Sequence, residues 1–242
     1  MSEFTSVRPA AVAGQFYPGR RQSLEQTVTA CLKPPSKTVP GRLRAMIVPH
    51  AGYSYSGATA GEAYALLRGR SDIKRVLVLA PSHHCYFAGV SVGDYGTFET
   101  PLGPVPVDVP NCRELVANND LITARADAHE YEHALEVQLP FLQTVLPEFS
   151  LVPVVCGQLE TEAIRSVAET LADMLWQPDT LWVVSSDFTH YGANFGYQPF
   201  TTDVPEQIEE LDKGAVGYIE DLDSEGFIGY VRRTGATICG AT

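Results

Sequence analysis

The sequence predicts an α/β fold in which a mostly parallel, mixed sheet is covered by helices on both faces. Three observations predict it. Short, continuous apolar runs recur along the chain and alternate with stretches of helical periodicity. The runs are continuous rather than alternating, which marks strands buried on both faces, as in parallel sheets. No repeat, low-complexity stretch or linker divides the chain, so residues 1–242 read as a single domain.

The elements follow in order. Leu24, Val28, Cys31 and Leu32 recur at helical spacing, and Pro34-Pro35 closes that segment. Ala45-Met46-Ile47-Val48 reads as a buried strand leading into Pro49-His50-Ala51-Gly52-Tyr53. A small-residue helix follows through Ala60, Ala63, Tyr64 and Leu67. Val76-Leu77-Val78-Leu79 is the next strand, ending in Pro81-Ser82-His83-His84. Short strands with Gly and Pro turns are expected around 88–107. Leu135, Leu139 and Leu142 share a helical face that Pro140 must kink or break. Leu151 to Val155 forms another strand, followed by a helix over 161–175. Leu181-Trp182-Val183-Val184 runs into Ser185-Ser186-Asp187-Phe188-Thr189-His190, and two amphipathic helices are expected near 205–221 and 224–232.

Bulk composition narrows the function. Of 242 residues, 45% are hydrophobic and 19% charged, an ordinary globular balance. The net charge of −12 disfavours binding to phosphate backbones or anionic lipid. No apolar run reaches the ~20 residues of a membrane span, and the N-terminus lacks the pattern of a secretory signal. The five cysteines are widely spaced, odd in number and without a C-x-x-C pair, which fits a reducing cytoplasmic setting.

Ligands of open parallel sheets bind beyond the carboxyl ends of the strands. Three runs end there in histidine: His50, His83 with His84, and His190. A single strand-end histidine is more often structural, but three on one edge converge, and neutral imidazole is a good ligand for iron, copper, nickel or zinc. Asp187 lies three residues before His190, so one turn can bring carboxylate and imidazole together for acid–base work; the structural alternative is an N-cap. Cys239 offers a soft thiolate ligand, or else an ordinary buried thiol. His129-Glu130-Tyr131-Glu132-His133 matches H-E-x-x-H, the zinc-peptidase spacing, if the segment is one clean helix. His133 and Glu136, at i and i+3, could line the same cleft, with His84 and Tyr53 beside them.

Taken together these stretches resemble the Memo family, the mediators of ErbB2-driven cell motility, whose bacterial members are called AmmeMemoRadiSam system protein B. The resemblance rests on Arg8-Pro9, Gly14-Gln15-Phe16-Tyr17-Pro18, Pro49-His50-Ala51-Gly52-Tyr53-Ser54-Tyr55-Ser56-Gly57, Pro81-Ser82-His83-His84 and Thr100-Pro101-Leu102-Gly103. It continues through Glu132-His133-Ala134-Leu135-Glu136-Val137-Gln138-Leu139-Pro140-Phe141, Ser185 to His190, and Thr237-Ile238-Cys239-Gly240. The family's fold is similar to that of LigB-like class III extradiol dioxygenases. The resemblance implies His50, His83 and Cys239 as ligands of a single iron or copper ion, with His190 at the acid–base position. It also implies redox activity on a small molecule or oxygen, and the company of radical SAM and AMMECR1-like proteins. Family members continue beyond the position of Gly240 with a further helical segment, which this chain is expected to lack.

Three functions follow as expectations. The first is a metal-dependent, dioxygenase-like oxidoreductase using His50, His83, Cys239, His190 and Asp187. The second is a non-catalytic module that grips a peptide or partner in the cleft, with Tyr53, Tyr55, Phe188 and Tyr191 as contacts. The third is a zinc hydrolase built on His129 and His133.

Overall fold

The computed structural model describes residues 6–35, 39 and 41–241. The chain divides into two compact units, one ending at Ser185 and the other beginning at Ser186. The first unit carries β1 (Val7–Arg8), α1 (Arg21–Cys31), β2 (Ala45–Val48), α2 (Tyr53–Ala65), β3 (Arg75–Pro81), β4 (Val90–Ser91), β5 (Thr97–Thr100) and β6 (Gly103–Pro106). It continues with α3 (Val109–Asn118), β7 (Ile122–Thr123), α4 (Asp127–Glu130), α5 (His133–Glu136), α6 (Leu139–Val145), β8 (Ser150–Cys156), α7 (Thr161–Leu175) and β9 (Thr180–Ser185).

Its six-stranded sheet has the order β2-β9-β3-β8-β4-β7. Every pairing is parallel except the antiparallel β4–β8 pair, so the sheet is mixed and mostly parallel. In the central strands Val76, Leu77 and Val78, and Leu151 to Val155, are buried in succession. Consecutive burial means that both faces are covered, as the continuous apolar runs predict. β2 is an edge strand and buries only alternate residues. A second, three-stranded sheet has the order β1-β5-β6. Its β5–β6 hairpin turns through Thr100-Pro101-Leu102-Gly103, where Thr100 Oγ1 accepts the Leu102 N–H at 3.0 Å.

Helix packing explains several small residues. α1 crosses α2 so closely that a Cβ on Gly61 would stand 2.2 Å from the Cys31 carbonyl oxygen. Pro140 breaks the expected long helix rather than kinking it: α5 stops at Glu136, and α6 restarts with Pro140 in its first turn, where no N–H is needed. α3 and β7 have no counterpart in the sequence reading; Asp108, which accepts the Asn111 N–H, and Pro110 in the first turn are the start signals that mark α3.

The literal H-E-x-x-H stretch is not one helix. α4 ends at Glu130, Tyr131 and Glu132 leave helical geometry, and α5 begins at His133. His129 and His133 therefore do not share a helical face, and the zinc-hydrolase expectation is corrected. His129 is a core residue whose Nε2 donates to the Ser91 carbonyl at 3.0 Å. Burial pushes its pKa down to about 4.

Arg8 and Glu136 are both fully buried and ion-paired. Arg8 also donates to the carbonyls of His129 (3.1 and 3.0 Å) and Glu132 (3.0 Å). Glu136 accepts the Ala11 N–H at 2.8 Å, the Val12 N–H at 3.1 Å and the Tyr17 hydroxyl. Glu136 thus faces the core and not a cleft. Tyr53 is likewise buried, its hydroxyl donating to the Val137 carbonyl at 2.6 Å.

The second unit holds a 3₁₀ turn (Ala193–Phe195), α8 (Val204–Glu220) and α9 (Ser224–Thr234). α8 and α9 pack together over a small core of Ala215, Val231, Ala236 and Ile238. Among the described residues no helix is long and apolar enough to cross a membrane.

Two measurements test this core. Arg8→Ala leaves the Glu136 carboxylate buried without its cation, and the unfolding free energy in a denaturant titration is expected to fall by about 3–5 kcal/mol. A loss under about 1 kcal/mol would show that the pair is dispensable. For His129, the unfolded chain (pKa about 6.5) binds a proton that the native state refuses until about 4. The unfolded state then holds more protons in this window, so stability falls as pH drops from about 6.5 towards about 4. His129→Gln is expected to reduce that slope by one proton, about 1.4 kcal/mol per pH unit. An unchanged slope would place the proton elsewhere.

Candidate metal centre

His50 follows β2, and His83 follows β3. Both strands run parallel to β9, which lies between them, so both histidines stand at one edge of the sheet. Their rings meet edge-on with centroids 5.2 Å apart, and their donor nitrogens lie within 4.8 Å of each other.

The hydrogen bonds around each ring set where its proton sits. His50 Nδ1 is 3.0 Å from Ser185 Oγ, at the end of β9. The Ser185 hydroxyl donates to the Ala134 carbonyl at 2.6 Å and accepts from Gln138 Nε2 at 2.8 Å. Its hydrogen is thereby committed, so it receives a proton from His50 Nδ1, and Nε2 becomes the lone-pair atom. Gln138 is held in turn by the Tyr64 hydroxyl at 2.8 Å and by the Pro49 carbonyl at 3.0 Å. Three elements thus fix one imidazole that is 1% exposed.

His83 has a different holder. Glu132 Oε1 lies 2.9 Å from His83 Nδ1, and Oε2 accepts the His83 backbone N–H at 2.6 Å. Oε1 also accepts the Ala134 N–H at 2.9 Å, capping α5. A carboxylate only accepts, so His83 also carries its proton on Nδ1 and presents Nε2. Burial works against charge on Glu132, but these hydrogen bonds from His83 and Ala134 outweigh it and hold the carboxyl below its usual range.

His83, Glu132 and His133 form a second grouping with donor atoms within 4.8 Å of one another. The oxygens of Glu132 are already engaged by three N–H donors, so its chemistry is that of a holder rather than a ligand. His133 lies between Phe16 and His83, each 4.6 Å away by ring centroid. Burial pushes its pKa down to about 4, with His83, His50 and His84 adding to the fall and Glu132 opposing it. It is therefore neutral near pH 7. His84 is exposed and meets His133 edge-on at 5.9 Å.

In the second unit, residues 186–190 and 237–239 are laced together. His190 N–H donates to Thr237 Oγ1 at 2.8 Å, Thr237 Oγ1 donates to the His190 carbonyl at 2.9 Å, and His190 Nδ1 lies 2.9 Å from the Thr237 carbonyl. A carbonyl can only accept, so His190 too presents Nε2, which lies 3.9 Å from Asp187 Oδ2. An imidazole in this tautomer offers the Nε2 lone pair for acid–base work. Asp187 does not cap a helix, because no helix begins there. The Cys239 N–H donates to the Asp187 carbonyl at 2.9 Å, and its carbonyl accepts from Ser186 Oγ at 2.7 Å, so its backbone is anchored.

Cys112 is buried, and burial together with Asp108 pushes its thiol up to about 12. Cys85 sits near Asp127 Oδ2 at 3.7 Å and Arg125 at 3.8 Å.

Glu132, Ser185 and Gln138 are the residues that sequence reasoning missed. Glu132 sits inside the H-E-x-x-H match, which drew attention to its neighbours instead. Ser185 and Gln138 lie in motifs already singled out, but nothing in their spacing shows which ring they hold.

The residues fit a transition-metal ion. The buried His50 and the exposed His83 both present Nε2, and each donates its other N–H to a fixed acceptor, as metal-bound histidines do. The family model for Memo-like protein matches residues 8–242. The memo-1 homolog of Caenorhabditis elegans is 35% identical over 96% of this chain and 68% of its own length. Protein MEMO1 of Danio rerio is 32% identical over 99% of this chain and 82% of its own. A MEMO1 family protein of Methanopyrus kandleri is 32% identical over 96% of this chain and 82% of its own. The motifs, the mixed α/β sheet and these matches together show that the chain belongs to the Memo family.

Proposed function

We propose that this Memo-family chain is a metal-binding redox protein in which His50 and His83 hold a single iron or copper ion. The observation that carries the reading is the pair of histidines at one sheet edge, each with Nδ1 committed and Nε2 presented. Cys239 is the third ligand on the strength of the family resemblance. A thiolate in place of the dioxygenases' carboxylate donates more charge and favours copper. When bound, such an ion supplies electron transfer and Lewis acidity. His190 receives or returns a proton at Nε2, which lies beside the Asp187 carboxylate. The neutral His133 packs against His83 on one side and Phe16 on the other. The substrate class is a small molecule or oxygen, in a cytoplasmic setting; radical SAM and AMMECR1-like proteins are the partners that the resemblance suggests.

A second reading has its own observation. Tyr55, Tyr86 and Tyr131 are strongly exposed, and each follows or precedes a site histidine by a few residues. Exposed aromatics of this kind suit a peptide-binding module that performs no chemistry.

Elemental analysis after anaerobic purification separates the two. The metal reading predicts about one iron or copper per chain in the wild type and at least a tenfold loss in His50→Ala and in His83→Ala. A wild type without either metal, or equal loading in all three proteins, would sink it.

A further inference from the structure

We infer that Glu132 is the positioning residue that makes His83 a metal ligand, through a grip that only a carboxylate can make. The inference rests on the metal reading above and deepens it. Glu132 is 1% exposed and holds His83 twice: Oε2 takes the backbone N–H at 2.6 Å and Oε1 meets ring Nδ1 at 2.9 Å. Peptide and imidazole are thus locked to one planar group, which fixes the ring's direction as well as its tautomer. The Ala134 N–H, also on Oε1 at 2.9 Å, anchors the carboxylate to the first turn of α5. Arg8 holds the Glu132 carbonyl at 3.0 Å, so the backbone behind the carboxylate is fixed too.

The two oxygens face two backbone donors and one ring nitrogen. A neutral amide of the same shape offers one acceptor and one NH₂ group. With its oxygen on the His83 backbone N–H, the NH₂ faces Nδ1 and donates to it. The ring proton must then move to Nε2, the atom needed by the metal. With the amide turned over, the NH₂ opposes the His83 backbone N–H, and the grip on the peptide is lost. The first orientation removes the Nε2 lone pair and the second frees the ring's direction, in both cases without altering His83 itself. His133, whose Nδ1 lies 3.4 Å from the same Oε1, is a bystander to this grip rather than its object.

The experiment compares wild type with Glu132→Gln in the full chain, by long-range ¹H–¹⁵N correlation of the metal-free histidines and by Co(II) titration as a spectroscopic stand-in for Fe(II). In the wild type, His83 is expected in the Nδ1–H form. In Glu132→Gln, the Nε2–H form of His83 is expected to appear, His50 to stay Nδ1–H, and Co(II) affinity to fall about 10–100-fold. His83 unchanged in tautomer with Co(II) affinity within about twofold of wild type would overturn the inference. A wild-type protein that takes up no Co(II) would count against the metal reading, while the tautomer comparison would still decide the role of Glu132. Should Glu132→Gln not fold, the wild-type spectrum decides: His83 in the Nε2–H form overturns the inference. Glu132→Asp, which keeps the charge but shortens the reach, is expected to keep the tautomer and to bind Co(II) more weakly than wild type.

Discussion

Arg8 and Glu136 are 128 positions apart in the chain and meet in the core, where neither touches water. A buried ion pair of this kind is costly to desolvate, so it persists only when its remaining donors and acceptors are filled. Here they are filled by the backbone that surrounds the candidate centre. The guanidinium takes the carbonyls of His129 and Glu132, and the carboxylate takes two N–H groups of the segment after Pro9 and the Tyr17 hydroxyl. The broken helical stretch between Ala126 and Gln138 cannot hold itself by helix hydrogen bonds alone. The ion pair supplies what local structure lacks, and the position of Glu132 beside His83 follows from it.

From that segment two separate polar networks reach the sheet edge. Glu132 grips His83, while Gln138 and the Ala134 carbonyl orient Ser185, which in turn accepts from His50. Each network ends on Nδ1 of a histidine carried by a different strand. Parallel strands bring the histidines to one edge; the α5–α6 segment decides which face of each ring looks outwards. Sheet topology sets proximity, and hydrogen bonding sets chemistry. Both are needed, because an imidazole near a metal with its proton on the wrong nitrogen is no ligand.

Much of this was legible in the sequence, for physical reasons. Buried parallel strands leave continuous apolar runs, so β2, β3, β8 and β9 and the histidines that follow β2 and β3 could be read directly. The long amphipathic helices α7 and α8 announced themselves by period. Three features did not follow the same rules. The H-E-x-x-H match implied a helix, but Tyr131 and Glu132 leave helical geometry to bring a carboxylate to His83. His133 and Glu136 share a helical spacing, yet the pull of Arg8 turns Glu136 into the core. Tyr53 sits in a motif beside His50, but its hydroxyl finds the Val137 carbonyl inside. In each case a long-range polar partner, invisible to local pattern, chose the direction of the side chain. The matched motifs Arg8-Pro9 and Gly14 to Pro18 belong to this hidden layer: they support the centre from behind and contribute no ligand.

The central claim is that His50 and His83 present their Nε2 atoms to one ion. A crystal of the full chain grown with Fe(II) under anaerobic conditions, with anomalous data collected at the iron edge, tests it most directly. The account predicts one anomalous peak about 2.0–2.3 Å from Nε2 of both His50 and His83, with their Nδ1 atoms still turned to Ser185 and Glu132. A peak bound through Nδ1 of either ring, or one centred on His129 or Glu136 instead, would contradict it.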